Sequence, residues 1–139
     1  MTQKGCVYRP HVVGVRAGQT LQVLNDDPTS HNVHFYAKKN EEDNKTQAAG
    51  GKPFEFVFTK EEVAITTVCD IHPWMKAFIC VVDHPFFAVT AADGSFVIDG
   101  VPPGKYRLVA WHEKLKKKTT GELTVSPGGE TEVTYTFKP

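Results

Sequence analysis

Apolar residues in this chain come in short runs of Val, Ile, Leu, Phe and Tyr between turn signals, and no segment longer than about ten residues keeps a 3.6-residue apolar period. That pattern predicts an all-β chain. Strands are expected at 12–15, closed by Ala17-Gly18, and at 21–24, closed by Asn25-Asp26-Asp27-Pro28. Further strands are expected at 33–36 and at 54–58, where Phe54, Phe56 and Phe58 alternate onto one inward face. The stretch 38–52 is polar and aperiodic and reads as a long mobile loop, with a helical turn as an alternative at 60–63.

Expected strands at 64–68 and 78–82 bracket Cys69-Asp70-Ile71-His72-Pro73-Trp74-Met75, a segment too short to be anything but a tight loop between two strands. Its side chains therefore sit at one rim. After Asp83-His84-Pro85 the texture changes to hairpin chemistry at Ala92-Asp93-Gly94-Ser95, Val101-Pro102-Pro103-Gly104 and Ser126-Pro127-Gly128-Gly129, with strands expected at 96–98, 106–111, 123–125 and 132–137. The expected organisation is a first unit at 1–83 and a β extension at 84–139. An extension of about 55 residues is short for a free-standing sandwich, so it is expected to pack on the first unit or borrow a strand from it.

Composition narrows the function classes. Lys+Arg and Asp+Glu both total 16, so no net field draws the chain to nucleic acid or an anionic membrane. No apolar run approaches the roughly 20 residues that cross a bilayer, and Met1 to Gly5 lacks the apolar stretch of a secretion signal, so a soluble chain without membrane insertion is expected. Cys6, Cys69 and Cys80 make an odd count, which leaves at least one thiol outside any disulfide. A leftover thiol among histidines suggests a metal.

A copper ion cycling between Cu(I) and Cu(II) needs a thiolate and two imidazoles with a weak thioether on the axis. Cys69, His72 and Met75 follow a C-x2-H-x2-M spacing that lets one loop wrap three such donors around an ion, and His31, opening a strand after Asp27-Pro28-Thr29-Ser30, is the fourth. Structural zinc would normally take four Cys or His ligands, and Met is a poor one. The thioether argues for copper, one ion, without an open position for substrate. The sequence carries no Ser-His-Asp order, paired carboxylate loop or phosphate-binding glycine motif, so an enzyme is not expected.

His31-Asn32-Val33-His34-Phe35 and Cys69-Asp70-Ile71-His72-Pro73-Trp74-Met75 resemble the ligand segments of the cupredoxins, the type 1 blue copper proteins of amicyanin and plastocyanin type. Tyr8-Arg9-Pro10, Val15, Gly18 and residues 21–25 are similar to that family's strand pair leading into the first His, and the resemblance covers roughly residues 6–83. It implies a Greek-key β-sandwich that carries single electrons between a protein donor and acceptor in a periplasmic or extracytoplasmic setting. It also implies that Asn32 ties the two ligand loops together, that Pro73 and Trp74 flank the ligands, and that His72 is the partly exposed ligand through which electrons leave. Trp74, Phe35 and Phe78 are expected to keep the site dry. One departure stands out: few residues precede Tyr8, so the family's first strand is expected to be truncated or replaced.

Other candidates divide. His34 has the opposite strand parity to His31 and should face away from the metal, while His11, His84 and His112 have no ligand spacing. Cys6 lies two residues nearer the metal rim than Tyr8, as a spectator thiol, a disulfide partner of Cys80, or a further thiol near the site that modifies or joins it. The run Lys114 to Lys118 is a solvated hairpin or a docking patch for an acidic partner, and Glu41-Glu42-Asp43 serves loop solubility. Asp93 to Ile98, followed by Val101 to Tyr106, resembles the D-G-x-F and P-G-x-Y hairpin of carboxypeptidase-regulatory-like, transthyretin-like β modules, which implies a non-catalytic spacer or docking unit. Beside electron transfer stand two other functions: a copper carrier, store or sensor with the same ligands, and a non-catalytic β binding module.

Overall fold

The computed structural model describes residues 1–115 and 119–137, and the described residues contain strands but no helix. By internal packing the chain divides into two units, Met1–Val97 and Ile98–Pro139. Nine strands build the first: β1 (Thr2–Gln3), β2 (Tyr8–Arg9), β3 (Val12–Arg16), β4 (Thr20–Asn25), β5 (His31–Tyr36), β6 (Asp43–Gln47), β7 (Phe54–Val57), β8 (Glu62–Val68) and β9 (Lys76–Val82). They form two sheets, of order β2-β1-β4-β7 and β3-β9-β8-β5-β6. Most pairs are antiparallel, but β1 runs parallel to β4 and β3 parallel to β9.

Alternation explains the sandwich. In β4 the side chains of Leu21, Val23 and Asn25 are buried while Thr20, Gln22 and Leu24 face outward, the period of a strand with one wet face. Val15, Val33, Phe35, Ile65, Ile79 and Val81 from the five-stranded sheet meet Leu21, Val23 and Phe56 from the other. Phe35 stands edge-on to Phe56 and Phe58, with ring centroids 4.6 and 5.2 Å apart. The side chains of Phe56 and Phe58 are buried and Phe54 is half-buried, so the alternating Phe face does point inward. Each full burial of an Ile, Val or Phe contributes about 1.5–3 kcal/mol.

Several local expectations need correction. The polar stretch 38–52 is not one loop: Asp43–Gln47 forms β6 along β5, and Gln47 is buried because its side-chain amide donates to the carbonyls of Val23 and Lys52. Hydrogen-bonded burial of a polar side chain leaves no apolar period to read. No helical turn occurs at 60–63. There Glu62 opens β8 and accepts the backbone amides of Lys38, Lys39 and Asn40. Ahead of Tyr8, Thr2–Gln3 forms a two-residue strand beside β4.

The second unit holds β10 (Gly104–Ala110) and β11 (Thr119–Val125), paired antiparallel with each other in a sheet of their own. Residues 96–98 and 132–137 are not strands, contrary to the expectation from the hairpin signals beside them. Of the basic run, Lys116, Lys117 and Lys118 lie outside the described residues.

Candidate metal centre

His31 opens β5 and is fully buried, and the loop 69–75 joins β8 to β9 at the same rim. Two backbone bonds close that loop, Met75 N–H to His72 O at 2.9 Å and Cys69 N–H to Met75 O at 3.3 Å. Buried Cys69 and Met75 thereby stand as the loop's two ends, with His72 half-buried between them.

The imidazoles meet. Nδ1 of His31 lies 2.9 Å from Nδ1 of His72, and Cys69 Sγ lies 3.7 Å from that same His72 nitrogen. On its other edge His31 offers Nε2 to Asp27 Oδ2 at 2.8 Å. A carboxylate accepts only, so Nε2 carries the proton and Nδ1 is left as a lone pair facing His72. Asp27 also accepts the amides of Cys6 at 2.9 Å and Gly5 at 2.7 Å. Those two amides, Cys6 first, outweigh desolvation and with His31 hold its carboxyl down to about 2.

Asn32 links the two segments. Its backbone N–H points at Cys69 Sγ at 3.4 Å, its Oδ1 accepts the Asp70 amide at 2.5 Å, and its Nδ2 donates to Asp70 Oδ2 at 3.0 Å and to Asn44 Oδ1 at 2.7 Å. Tyr8 adds a second tie, its hydroxyl donating toward the carbonyls of Asn32 and Val68 at 2.5 and 2.9 Å. Burial, then the negative charges of Cys69 and Asp70, push the Tyr8 hydroxyl above its ordinary range, so it stays a donor. Asp70 is held below the usual carboxylate range, first by Asn44 and, against desolvation, by Asn32 and His34.

The remaining candidates separate cleanly. His34 faces away from the pair, between Asp70 at 3.0 Å and Glu42 at 3.2 Å, with its ring on Tyr36. The carboxylates outweigh desolvation, and its pKa is raised. Ring nitrogens of His11, His84 and His112 bond backbone groups elsewhere. All three cysteines are free thiols; Cys80 lies on β9 opposite Gly14, and burial pushes its thiol up. Phe35 and Phe78 are buried, whereas Trp74 is 66% exposed. Its ring stands 5.3 Å from that of His72, and its indole N–H donates to the Cys6 carbonyl at 3.0 Å. Pro73 is exposed beside it.

Cys6 joins the cluster. A donor atom from each of Cys6, His31 and His72 lies within 4.8 Å of the others. That group does not include Cys69, whose Sγ stands 3.7 Å from His72 Nδ1; thiols and imidazoles together suit a soft or borderline transition metal. Imidazole nitrogens about 2.0–2.1 Å from a common ion stand roughly 3.3–3.4 Å apart in tetrahedral geometry, so the two rings, 2.9 Å apart and hydrogen-bonded, would part by a few tenths of an ångström to admit one. Sequence reasoning missed Asp27 and Asn44. Asp27 falls four residues before His31 in a turn, and only that proximity signals it.

Residues 73–138 match the carboxypeptidase regulatory-like domain family. No curated protein matches the chain. Among solved structures, the Cu-containing nitrite reductase of Thermus scotoductus SA-01 has a TM-score of 0.54 at 22% identity over 60% of this chain and only 22% of its own. An amicyanin mutant in its Cu(I) form has a TM-score of 0.51 at 21% identity, covering 58% of this chain and 78% of its own. A second amicyanin mutant, in a reduced Cu(I) form at pH 4, has a TM-score of 0.52 at 23% identity with the same coverage. At these identities the likeness establishes a fold.

Proposed function

We propose that this chain, with a cupredoxin sandwich as its first unit and a carboxypeptidase-regulatory-like segment after it, binds one copper ion through His31, Cys69, His72 and Met75 and carries single electrons between protein partners. Copper supplies the one-electron couple between Cu(I) and Cu(II). The protein supplies rigidity: Asp27 fixes the His31 ring, Asn32 locks the 69–75 loop to β5, and the Asn32 amide directed at Cys69 Sγ lowers the electron density on that sulfur. Held donors need little rearrangement when the charge at the site changes.

The observation that carries the reading is the convergence of His31 Nδ1, His72 Nδ1 and Cys69 Sγ at one rim. His72 alone of the four donors is not fully buried, and exposed Ile71, Pro73 and Trp74 surround it, which supports electron exit through that ring into a docked partner. We assign copper binding to residues 1–83 and a non-catalytic spacing or docking role to 84–139, in an extracytoplasmic setting. No helix among the described residues is long and apolar enough to cross a membrane. The test is to add Cu(II) to the purified chain and record visible and EPR spectra. An intense thiolate-to-copper band with narrow hyperfine splitting, altered in Cys69→Ala, is expected, and a colourless protein sinks the reading.

A further inference from the structure

We propose that the Cys6 thiolate is a donor to the same ion as His31 and His72, so that the centre is held by two thiols rather than one; this rests on the copper reading above. Cys6 comes from the segment between β1 and β2, remote in sequence from both ligand segments, yet its donor atom lies within 4.8 Å of those of both His31 and His72. Donors about 2.0–2.3 Å from one ion are at most roughly 4.6 Å apart. The 4.8 Å bound on these three side chains is close to that span, so a shift of a few tenths of an ångström brings them onto one ion.

Cys6 is also held in place from both sides of the site. Asp27 accepts its amide and the Gly5 amide through the same carboxylate that accepts from His31, and Trp74 of the 69–75 loop donates to its carbonyl. Displacing Cys6 thus disturbs the groups that aim His31 and the group beside His72. The residue keeps a φ of 53°, beside Gly5 at 67°, a backbone region that glycine occupies more easily, so a side chain is retained where conformation alone favours none. Cys80 is the contrast: it sits on β9 in the sheet, with burial pushing its thiol up.

A second thiolate makes the donor set softer and favours Cu(I) over Cu(II) relative to a centre with one thiolate. The decisive experiment loads the full chain with Cu(I) and counts thiolate sulfurs around copper by X-ray absorption, in the wild type, Cys6→Ala and Cys69→Ala. Two short copper–sulfur contacts in the wild type, with one lost in each variant, are expected. The Cu(II) form of Cys6→Ala should also have a visible spectrum different from the wild type. One short contact in the wild type, unchanged in Cys6→Ala, overturns the role of Cys6 while leaving the copper reading intact. A wild type with no thiolate sulfur at copper overturns both, and Cys69→Ala indistinguishable from the wild type overturns the copper reading through Cys69. The wild-type count does not depend on either variant folding.

Discussion

Asp27 Oδ2 accepts the Nε2 proton of His31 at 2.8 Å, and the same carboxylate holds the peptide of Cys6. One side chain four residues upstream therefore sets both the tautomer of His31 and the place of a second sulfur-bearing segment. Partners of this kind typically control metal affinity as strongly as some ligands do. Asp27→Asn is expected to weaken copper binding about 10- to 100-fold, because an amide can turn its NH2 toward His31 and no longer compels Nδ1 to be the lone pair. Competition against a chelator of known copper affinity measures this. An affinity equal to the wild type would mean that the ring is oriented by packing alone.

Glu62 gives a stability prediction remote from the metal. Burial pushes its carboxyl up, but the amides of Lys38, Lys39 and Asn40 and the Asn40 side chain win, and the pKa is lowered. A carboxyl depressed in the folded chain contributes stability that is present above its unfolded pKa and lost as pH falls through the folded one. Unfolding free energy should therefore fall as pH drops below about 4.3, the ordinary Glu value. Glu62→Gln should flatten that part of the profile and cost about 1–3 kcal/mol at neutral pH, because an amide group satisfies the three backbone donors less well. Urea unfolding of the metal-free chain between acid and neutral pH reads both.

Much of this arrangement was legible in the sequence, for identifiable reasons. Tight loops between alternating strands fix where their side chains go, so spacing led to the expectation of His31, Cys69, His72 and Met75 at one rim, where His31 and Cys69 lie 2.9 and 3.7 Å from His72. The tie made by Asn32 was legible only through the resemblance of its segment to the cupredoxins, which implied it. What could not be read was carried by polar side chains satisfying the backbone: Gln47, buried on β6 by bonds to Val23 and Lys52, and Glu62, capping the amides of 38–40. Trp74 was misread because an aromatic in a ligand loop suggests burial, whereas its indole N–H is spent on the Cys6 carbonyl at the surface. Apolar patterning ranks side chains by hydrophobicity and is blind to bonds made at their polar edges.

Packing at Gly14 gives a third prediction. A β-carbon there would fall 2.1 Å from Cε2 of Phe87, so the ring of Phe87 covers β3 only because position 14 has no side chain. Gly14→Ala should lower stability by about 1–3 kcal/mol through overpacking. Phe87→Ala should also destabilise, through lost burial. If the contact is the cause, the double variant will be more stable than the sum of the two losses allows, since the clash is gone once the ring is removed. Strict additivity in thermal or urea unfolding would mean that the two residues are not in contact.

Trp74 separates binding from exchange. It is largely exposed, as is Ile71 at 49%, and the two stand beside half-buried His72. An exposed apolar group around a donor ring fits transient contact between molecules, where a few large side chains carry most of the energy. Trp74→Ala is expected to slow electron self-exchange between Cu(I) and Cu(II) forms by roughly tenfold, the equivalent of about 1.4 kcal/mol. NMR line broadening in mixtures of the two forms gives that rate directly and needs no partner protein. Trp74→Phe keeps the apolar surface but loses the bond to Cys6, so it should retain fast exchange while shifting any spectral feature due to the Cys6 thiolate. If Trp74→Phe slows exchange as much as Trp74→Ala, the indole N–H matters more than the surface, and electron exit through an apolar face at His72 is the wrong account.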